Sequence, residues 1–146
     1  MKKITFMLML LISVQASAAV NSWTRIWVQG VTEYRIQSQD GAELLLTCTS
    51  EDSVFVQYTA PDGRSISNTD GDSHDIQAQT DSGDMYSIYD TTSDAGGANF
   101  EAFWAKARQS HRVHITSAGM PDATFTFSNA AKVLPAFDKS GCLTRI

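Results

Sequence analysis

Basic residues are scarce in this sequence and nowhere form a cluster. The 146 residues contain 11 Lys and Arg against 16 Asp and Glu, which gives a formal net charge of −5. Nucleic acids and anionic membrane surfaces are bound chiefly through clustered Lys and Arg. The composition therefore argues against both as partners, and the acidic charge favours a basic partner instead.

The sequence also lacks the short motifs that carry common enzyme chemistry. It has no G-x-S-x-G nucleophile elbow, no G-x-G-x-x-G dinucleotide loop and no P-loop. Most carboxylates fall in turn-like segments, and none is marked out as one of a catalytic pair. We therefore predict that the protein is not an enzyme and uses no cofactor.

No apolar run is long enough to anchor the chain in a membrane. The run at residues 4–14 would span about 16 Å as a helix, roughly half of a bilayer core. It follows Lys2 and Lys3 and precedes the small residues 16–18, which is the arrangement of a cleavable signal peptide. We predict a signal peptide at 1–18 and one exported domain at 19–146, periplasmic or secreted. Loss of the two lysines lowers the formal charge from −5 by two, to −7.

Cysteine occurs only twice, at Cys48 and Cys142. An even number of cysteines in an exported protein favours pairing, because the compartment is oxidising. Cys48 lies in the apolar segment 44–48, which suits a buried half-cystine better than a reactive thiol. We predict one disulfide between Cys48 and Cys142 that ties an early strand to the C-terminus.

Alternation of apolar and polar residues, the pattern of half-buried strands, dominates the sequence between its turn-like segments. Asp40-Gly41 is the signal of a tight type I′ hairpin. Residues 64–73 are polar and are expected to be irregular. The pattern predicts a mainly β (α+β) domain, an antiparallel sheet or sandwich of seven to eight strands. The predicted strands are 23–28, 33–38, 43–49, 54–58, 74–80, 85–89, 111–117 and 123–127.

A helical period appears in one segment. Phe100, Phe103, Trp104 and Ala107 form a single apolar stripe, which predicts a helix near 99–109 with Asn99 as its N-cap. Residues 91–98 are expected to form a loop before it. A short C-terminal helix is expected to start at a Ser128 cap and to end at Pro135, which lacks a backbone donor.

The histidines are poorly spaced for a metal site. His111 and His114 lie three positions apart on the predicted strand 111–117, which places them on opposite faces. No metal site is therefore predicted here. A competing class, a small cell-envelope hydrolase, would need one of these histidines beside an Asp or a Ser in a polar cleft. A third class is a subunit of an exported assembly whose uncovered edge strand pairs with a neighbour.

An acidic polar loop contains Asn68, Asp70, Gly71, Asp72 and Asp75. Side-chain oxygens in such a loop are the ligands that calcium prefers. An EF-hand loop counted from Asn68 would need glycine and glutamate where the sequence has Ser73 and Gln79. We predict a solvated turn, and a weak calcium site of another kind is the alternative.

The C-terminal run 123–142 combines a strand, small residues, an Ala-Ala-x-x-Leu pattern and then Cys142. This run resembles the endings of small exported proteobacterial proteins of the invasion-associated locus B type. The resemblance implies a periplasmic β-rich domain with an accessory or host-interaction role. It implies no catalytic residues.

These features together predict a small periplasmic or secreted binding protein that has no enzymatic activity and whose partner is a protein. One concrete form is an immunity protein or an inhibitor directed at a cell-envelope enzyme. A host-interaction accessory protein is another. The sequence leaves the oligomeric state open.

Overall fold

Two antiparallel sheets make up most of the protein. The computed structural model describes residues 19–70 and 75–146, so the predicted signal peptide lies outside the described residues. The first sheet contains, in spatial order, β1 (Thr24–Val28), β2 (Val31–Gln37), β3 (Glu43–Cys48), β4 (Phe55–Thr59) and β5 (Ser65–Ser67). The second sheet, in the spatial order β7-β6-β8-β9, contains β6 (Ile76–Thr80), β7 (Met85–Ile88), β8 (Arg112–Thr116) and β9 (Ala123–Thr126).

Two helices and a 3₁₀ turn complete the described part of the fold. Helix α1 (Asp94–Ala107) follows β7, helix α2 (Ala130–Val133) follows β9, and a 3₁₀ turn covers Phe137–Lys139. In the described part of the chain, no helix is both long enough and apolar enough to cross a membrane. The prediction of a mainly β (α+β) domain with one packed helix is confirmed.

The alternating pattern of the strands places one face of each sheet in a shared core. In β2, for example, Tyr34 and Ile36 are fully buried while their sequence neighbours are half-exposed. The sheets meet where Tyr58 of β4 packs edge-on against Phe125 of β9, with ring centroids 6.5 Å apart. A one-residue slip in register would move every one of these side chains to the outside, so the burial of one face fixes the strand pairing.

The predicted hairpin between β2 and β3 is present, but its turn differs from the prediction. Only Gly41 has positive φ (90°), and the Gly41 amide donates to the Ser38 carbonyl at 3.1 Å. A type I′ turn needs positive φ at both central residues, so this loop is of the longer kind that ends in one left-handed glycine. The type I′ geometry occurs instead between β1 and β2, where Gln29 and Gly30 have φ of 51° and 85°.

Two further expectations about element boundaries were wrong. Residues 64–73 include strand β5, which pairs with β4 and buries Ile66. A strand of three residues, two of them serines, is too short to show the alternation of apolar and polar residues. The C-terminal helix does not use Ser128 as a cap: it begins at Ala130, and the Asn129 side chain that precedes it bonds to Trp23.

Helix α1 begins one and a half turns earlier than the sequence predicts. Its N-cap is Ser93, whose hydroxyl accepts a hydrogen bond from the Gly96 amide at 3.1 Å, and not Asn99. The predicted loop 91–98 therefore contains the first turn of the helix. Gly96 and Gly97 are buried there, and their neighbours approach so closely that a Cβ atom would lie 1.7 Å from the Asp90 carbonyl oxygen and 2.5 Å from Arg145 Cγ, respectively. Close packing of this turn, which only glycine permits, outweighs the low helix propensity of the pair.

The aromatic stripe of α1 is buried as predicted. Phe100, Phe103 and Trp104 are all at most 1 % exposed. Trp104 packs edge-on against Tyr34 with ring centroids 5.0 Å apart, and its Nε1–H donates to the Pro135 carbonyl at 2.8 Å. The helix thus joins β2 to the C-terminal segment as well as covering the second sheet.

The predicted disulfide is confirmed. Cys48 at the end of β3 is bonded to Cys142, 94 positions later, and both residues are buried. Next to it, the Tyr34 hydroxyl donates to the Ser140 carbonyl at 2.7 Å. The C-terminus is therefore fixed to the first sheet by a covalent bond and a buried hydrogen bond.

Candidate functional site

A polar pocket lies at the end of the sandwich where the chain crosses from the first sheet to the second. Its volume is about 480 Å³. The lining residues come from the segments that precede β4 and β6 and follow β5 and β7: Ser53, Asn68, Thr69, Asp75, Tyr89, Asp90, Thr91 and Thr92. Concave sites of this size are the usual location of binding sites.

Asn68 holds the floor of the pocket together. Its side-chain oxygen accepts from the Val56 amide at 2.8 Å, and its Nδ2 donates to the carbonyls of Val54 at 3.1 Å and Tyr89 at 3.2 Å. The Thr91 hydroxyl also donates to the Val54 carbonyl, at 2.8 Å. These side chains join the start of β4 to the end of β7, so they form the base of the pocket and are not free to bind a ligand.

Replacing Asn68 by alanine is expected to lower the free energy of unfolding by about 2 kcal/mol, because the Val56 amide and the Tyr89 carbonyl lose their partner in a part-buried site, while the Val54 carbonyl keeps only its bond from the Thr91 hydroxyl. Denaturant titration of the oxidised protein measures this loss. Thr69→Ala, at the exposed neighbouring position, is the matched control and should change stability by less than about 0.5 kcal/mol. Equal stability of the two variants would show that Asn68 does not join the sheets.

Among the described residues, the charged groups that line the pocket are carboxylates. Asp75 and Asp90 are exposed, and no Lys or Arg of the described ranges lines the pocket. The Thr92 side chain and backbone amide both donate to the Asp90 carboxylate, which lowers the pKa of Asp90 below its usual range. Asp90 therefore stays ionised well below neutral pH, and the half-buried Tyr89 ring lies beside it in the lining. Such a site attracts a cationic group.

The C-terminal segment braces the same pocket from behind. The Val54 amide donates to the Leu143 carbonyl at 2.9 Å, and the Arg145 amide donates to the Thr91 carbonyl at 2.9 Å. Val54 directly follows the lining residue Ser53, and Thr91 itself lines the pocket. Because Cys142 immediately precedes this segment, the disulfide helps to position the pocket as well as the fold.

The predicted acidic loop is divided between two roles. Asn68 and Asp75 lie in the pocket lining, whereas the Asp70 carboxylate accepts from the Ser67 amide at 2.6 Å. Gly71 and Asp72 lie outside the described residues. Across 19–70 and 75–146, no three His, Cys, Asp or Glu side chains are grouped closely enough to hold a metal ion.

The structure does not bring the two predicted histidines together with the pocket. The His111 side chain is 77 % exposed and lies 3.7 Å from Asp81. His114, on the outward face of β8, lies with Nδ1 2.8 Å from the Thr124 hydroxyl and with Nε2 3.4 Å from Asp122. Neither histidine lines the pocket.

Asp81 fastens the start of β8 to the turn between β6 and β7. Its carboxylate accepts from the backbone amides of His111 at 2.7 Å and Arg112 at 3.0 Å. Partial burial acts to raise the pKa of Asp81, but the two amide hydrogen bonds outweigh it, so the pKa lies below its usual range. A carboxylate with a lower pKa in the folded state stabilises the fold only while it is ionised.

Asp81→Asn is therefore expected to lower the free energy of unfolding by about 1 kcal/mol at neutral pH. The wild type keeps this contribution above the pKa of an unfolded aspartate, about 3.9, and loses it as the pH falls through the lower folded pKa. The difference between variant and wild type should hence shrink in acid. Urea titrations at several pH values measure it, and a difference that grows towards low pH would contradict the assignment.

Sequence analysis found only part of this site. It singled out Asn68 and Asp75 but not Ser53, nor the run 89–92, which supplies half of the lining. The available signal was weak: polar residues that directly follow strand β7. The four segments become neighbours only through the pairing of strands that are distant in sequence.

A protein-family model covers most of the chain. The family model YfjT matches residues 21–134, which include the nine strands and helix α1 of the described residues and all the lining residues of the pocket named above. No curated protein and no solved structure matches the chain. The resemblance of residues 123–142 to invasion-associated locus B proteins stays a prediction, since none of these comparisons bears on that family. The chain belongs to the YfjT family.

Proposed function

We propose that this protein is an exported, non-enzymatic binding protein that holds a basic group of a protein partner in the polar pocket. The observation that carries the proposal is the pocket lining, where the two charged groups among the described residues, Asp75 and Asp90, are both carboxylates. Neither carboxylate forms an ion pair with a Lys or Arg among the residues that the structure describes. Both carboxylates are therefore available to a cationic group of a partner.

A guanidinium or ammonium group of a partner protein fits this chemistry best. Guanidinium groups bind carboxylates through paired hydrogen bonds and stack on aromatic rings such as that of Tyr89. The hydroxyls of Ser53, Thr69 and Thr92 offer further acceptors at the rim. The charge of −7 predicted for the exported chain would steer a basic partner towards the site.

Export rests on the predicted signal peptide and on the buried disulfide. Disulfides form and persist in oxidising compartments, and the Cys48–Cys142 bond leaves no free cysteine in the chain. A periplasmic or secreted location therefore supports two forms of the proposal. One is an immunity protein or inhibitor of a cell-envelope enzyme, and the other is a host-interaction accessory protein.

Affinity capture from periplasmic extract tests the proposal. The bait is the oxidised protein, compared with Asp75→Asn/Asp90→Asn, which removes both pocket charges without changing side-chain shape. The matched control Asp122→Asn/Asp138→Asn removes two exposed charges elsewhere. We expect a partner that the wild type and the control retain at low salt, and that the pocket variant loses by about tenfold or more.

Two outcomes would contradict the proposal. Equal retention of the partner by the pocket variant and the control would place binding elsewhere on the surface. Absence of any partner above background under several growth conditions would remove the binding role itself. A hydrolytic activity that disappears in His114→Ala would instead favour the competing class, which depends on the contacts of His114 with Asp122 and Thr124.

A further inference from the structure

Among the residues that the structure describes, no strand covers β1, which forms one edge of the first sheet, and its hydrogen-bonding groups can be assigned. The Gln37 amide donates to the Ala19 carbonyl, and the Asn21 amide donates to the Gln37 carbonyl, so the backbone groups of Gln37 face the β1 side. These directions alternate along a strand, so the other odd-numbered residues of β2 also direct their backbone groups towards β1. Their partners are the even-numbered residues of β1, for example Ile26 opposite Glu33. The backbone groups of Arg25 and Trp27 therefore point away from the sheet.

The adjoining position on this edge, Trp23, is already capped. The Trp23 amide donates to Asn129 Oδ1 at 2.9 Å, and the Trp23 carbonyl accepts from Asn129 Nδ2 at 2.9 Å. The side-chain amide thus replaces a neighbouring strand at that residue. Within residues 19–70 and 75–146, no group does the same for Arg25 and Trp27. Two donors and two acceptors of this edge are left for an incoming strand.

The side chains along β1 are unusually apolar for an edge. Trp27 is 67 % exposed and Val28 is 58 % exposed. Ile26, Val28 and Val31, together with Gln29 and Glu33, line a shallow cleft of about 350 Å³ on the face of the sheet opposite Trp27. Natural sheets protect long edges with charges, prolines or bulges, and only Arg25 serves that purpose here. An exposed apolar edge of this kind marks an interaction surface.

We infer that β1 pairs antiparallel with β1 of a second copy of this chain, with Ile26 of one protomer opposite Ile26 of its partner. In this register Arg25 of each protomer lies opposite Trp27 of the other. These are the two residues whose backbone groups point outwards, so four hydrogen bonds form across the dyad. Arg25 and Trp27 point to the same face of β1, where the Arg25 guanidinium already lies 5.7 Å from the centroid of the Tyr34 ring of its own chain. In the dimer each guanidinium would keep this contact and also approach the indole ring of the partner in a second cation–π contact.

Neighbouring two-fold registers are less favourable. Pairing centred on Arg25 places two guanidinium groups directly opposite each other, which is destabilising. Pairing centred on Trp27 runs Arg25 against Gln29, whose φ of 51° belongs to the turn and not to a strand. Only the register centred on Ile26 matches the free backbone groups, avoids like charges and stays within the five residues of β1.

The dimer is expected to be weak. Stable dimers usually bury about 1,200 to 2,000 Å² in total, and one pair of five-residue strands provides less. Sedimentation equilibrium of the oxidised exported protein should therefore show the average mass rising from one chain towards two between about 1 μM and about 1 mM. The two-fold pairing closes the edge, so no larger species should form.

A charge exchange tests the register. Trp27→Lys places a lysine opposite Arg25 and should weaken self-association by about tenfold or more. Arg25→Glu/Trp27→Lys then places opposite charges together twice and should restore it. The matched control is Met85→Lys, since Met85 is 57 % exposed at the start of edge strand β7 in the other sheet. Circular dichroism of each variant confirms that the fold is unchanged.

Each result decides the inference. A monomer at every concentration would overturn it, as would a dimer that Trp27→Lys leaves intact. Loss of the dimer without rescue by the double variant would overturn the proposed register. Asp75→Asn/Asp90→Asn should not alter self-association, because the pocket lies next to β4 and β5, on the opposite side of the first sheet from β1. The dimer and the proposed pocket function can thus fail separately.

Discussion

Replacing Cys48 and Cys142 together by alanine is expected to lower the free energy of unfolding by about 4 kcal/mol. The bond closes a loop of 94 positions, and the loss of chain entropy in the unfolded state grows with loop length. The effect is among the largest available to a double substitution in this chain. Denaturant titration of the variant and of the oxidised wild type measures it.

Chemical reduction of the wild type is the control for this prediction. Reduced wild type and the double variant should unfold at similar denaturant concentrations, because both lose the same constraint. Reduction should also weaken partner binding, since the segment after Cys142 braces Val54 and Thr91 behind the pocket. A stability change below about 1 kcal/mol would show that the disulfide does not constrain the unfolded chain. Two free thiols in protein isolated from the periplasm would contradict the proposed exported state.

Trp104→Ala is expected to cost about 3 to 5 kcal/mol, the range for removing a large aromatic side chain from a core. Trp104 is 1 % exposed and contacts Tyr34, Phe100 and Phe137 through edge-on or tilted rings. Its loss leaves a cavity between α1, β2 and the C-terminal segment, and it leaves the Pro135 carbonyl without its donor. Denaturant titration gives the loss, and near-ultraviolet circular dichroism should lose intensity at the same time.

Trp104→Phe separates packing from hydrogen bonding at this position. Phenylalanine keeps most of the ring contacts but cannot donate to the Pro135 carbonyl. We expect a loss of about 1 to 2 kcal/mol, well below that of the alanine variant. If both variants were destabilised equally, the hydrogen bond and not the aromatic packing would hold α1 in place.

The strands and the disulfide could be predicted because their signals are local or compositional. Alternation of apolar and polar residues in segments such as 31–37 predicts which face of the strand is buried without any knowledge of the rest of the fold. Two cysteines in an exported chain leave a single pairing within the molecule. The apolar stripe of α1 also depends only on residues within the helix. These features account for most of the sandwich.

The start of α1 and strand β5 could not be predicted, because they depend on contacts between distant segments. Gly96 and Gly97 look like helix breakers in the sequence, but the structure needs glycine at both positions because a Cβ atom would clash with the Asp90 carbonyl and the Arg145 side chain, respectively. Strand β5 exists because β4 offers it a free edge, and Ile66 is its only apolar residue. Tertiary context overrides propensity in both cases.

The pocket was hidden for the same reason. Asn68 looked like a candidate metal ligand in an acidic loop, whereas its amide bonds to Val54, Val56 and Tyr89. Asn129 looked like an ordinary residue after a helix cap, and it caps the edge of β1. An isolated sequence does not show which backbone groups a side-chain amide will meet.

Whether the acidic pocket binds a guanidinium group can be measured by titrating the isotope-labelled, oxidised protein with L-argininamide and recording amide NMR spectra. We expect saturable shifts centred on the amides of Ser53, Thr69 and Thr92, weakened by added salt and abolished in Asp75→Asn/Asp90→Asn but not in Asp122→Asn/Asp138→Asn. Shifts spread evenly over the acidic surface, or shifts that persist in the pocket variant, would show that the pocket is not a binding site for this group.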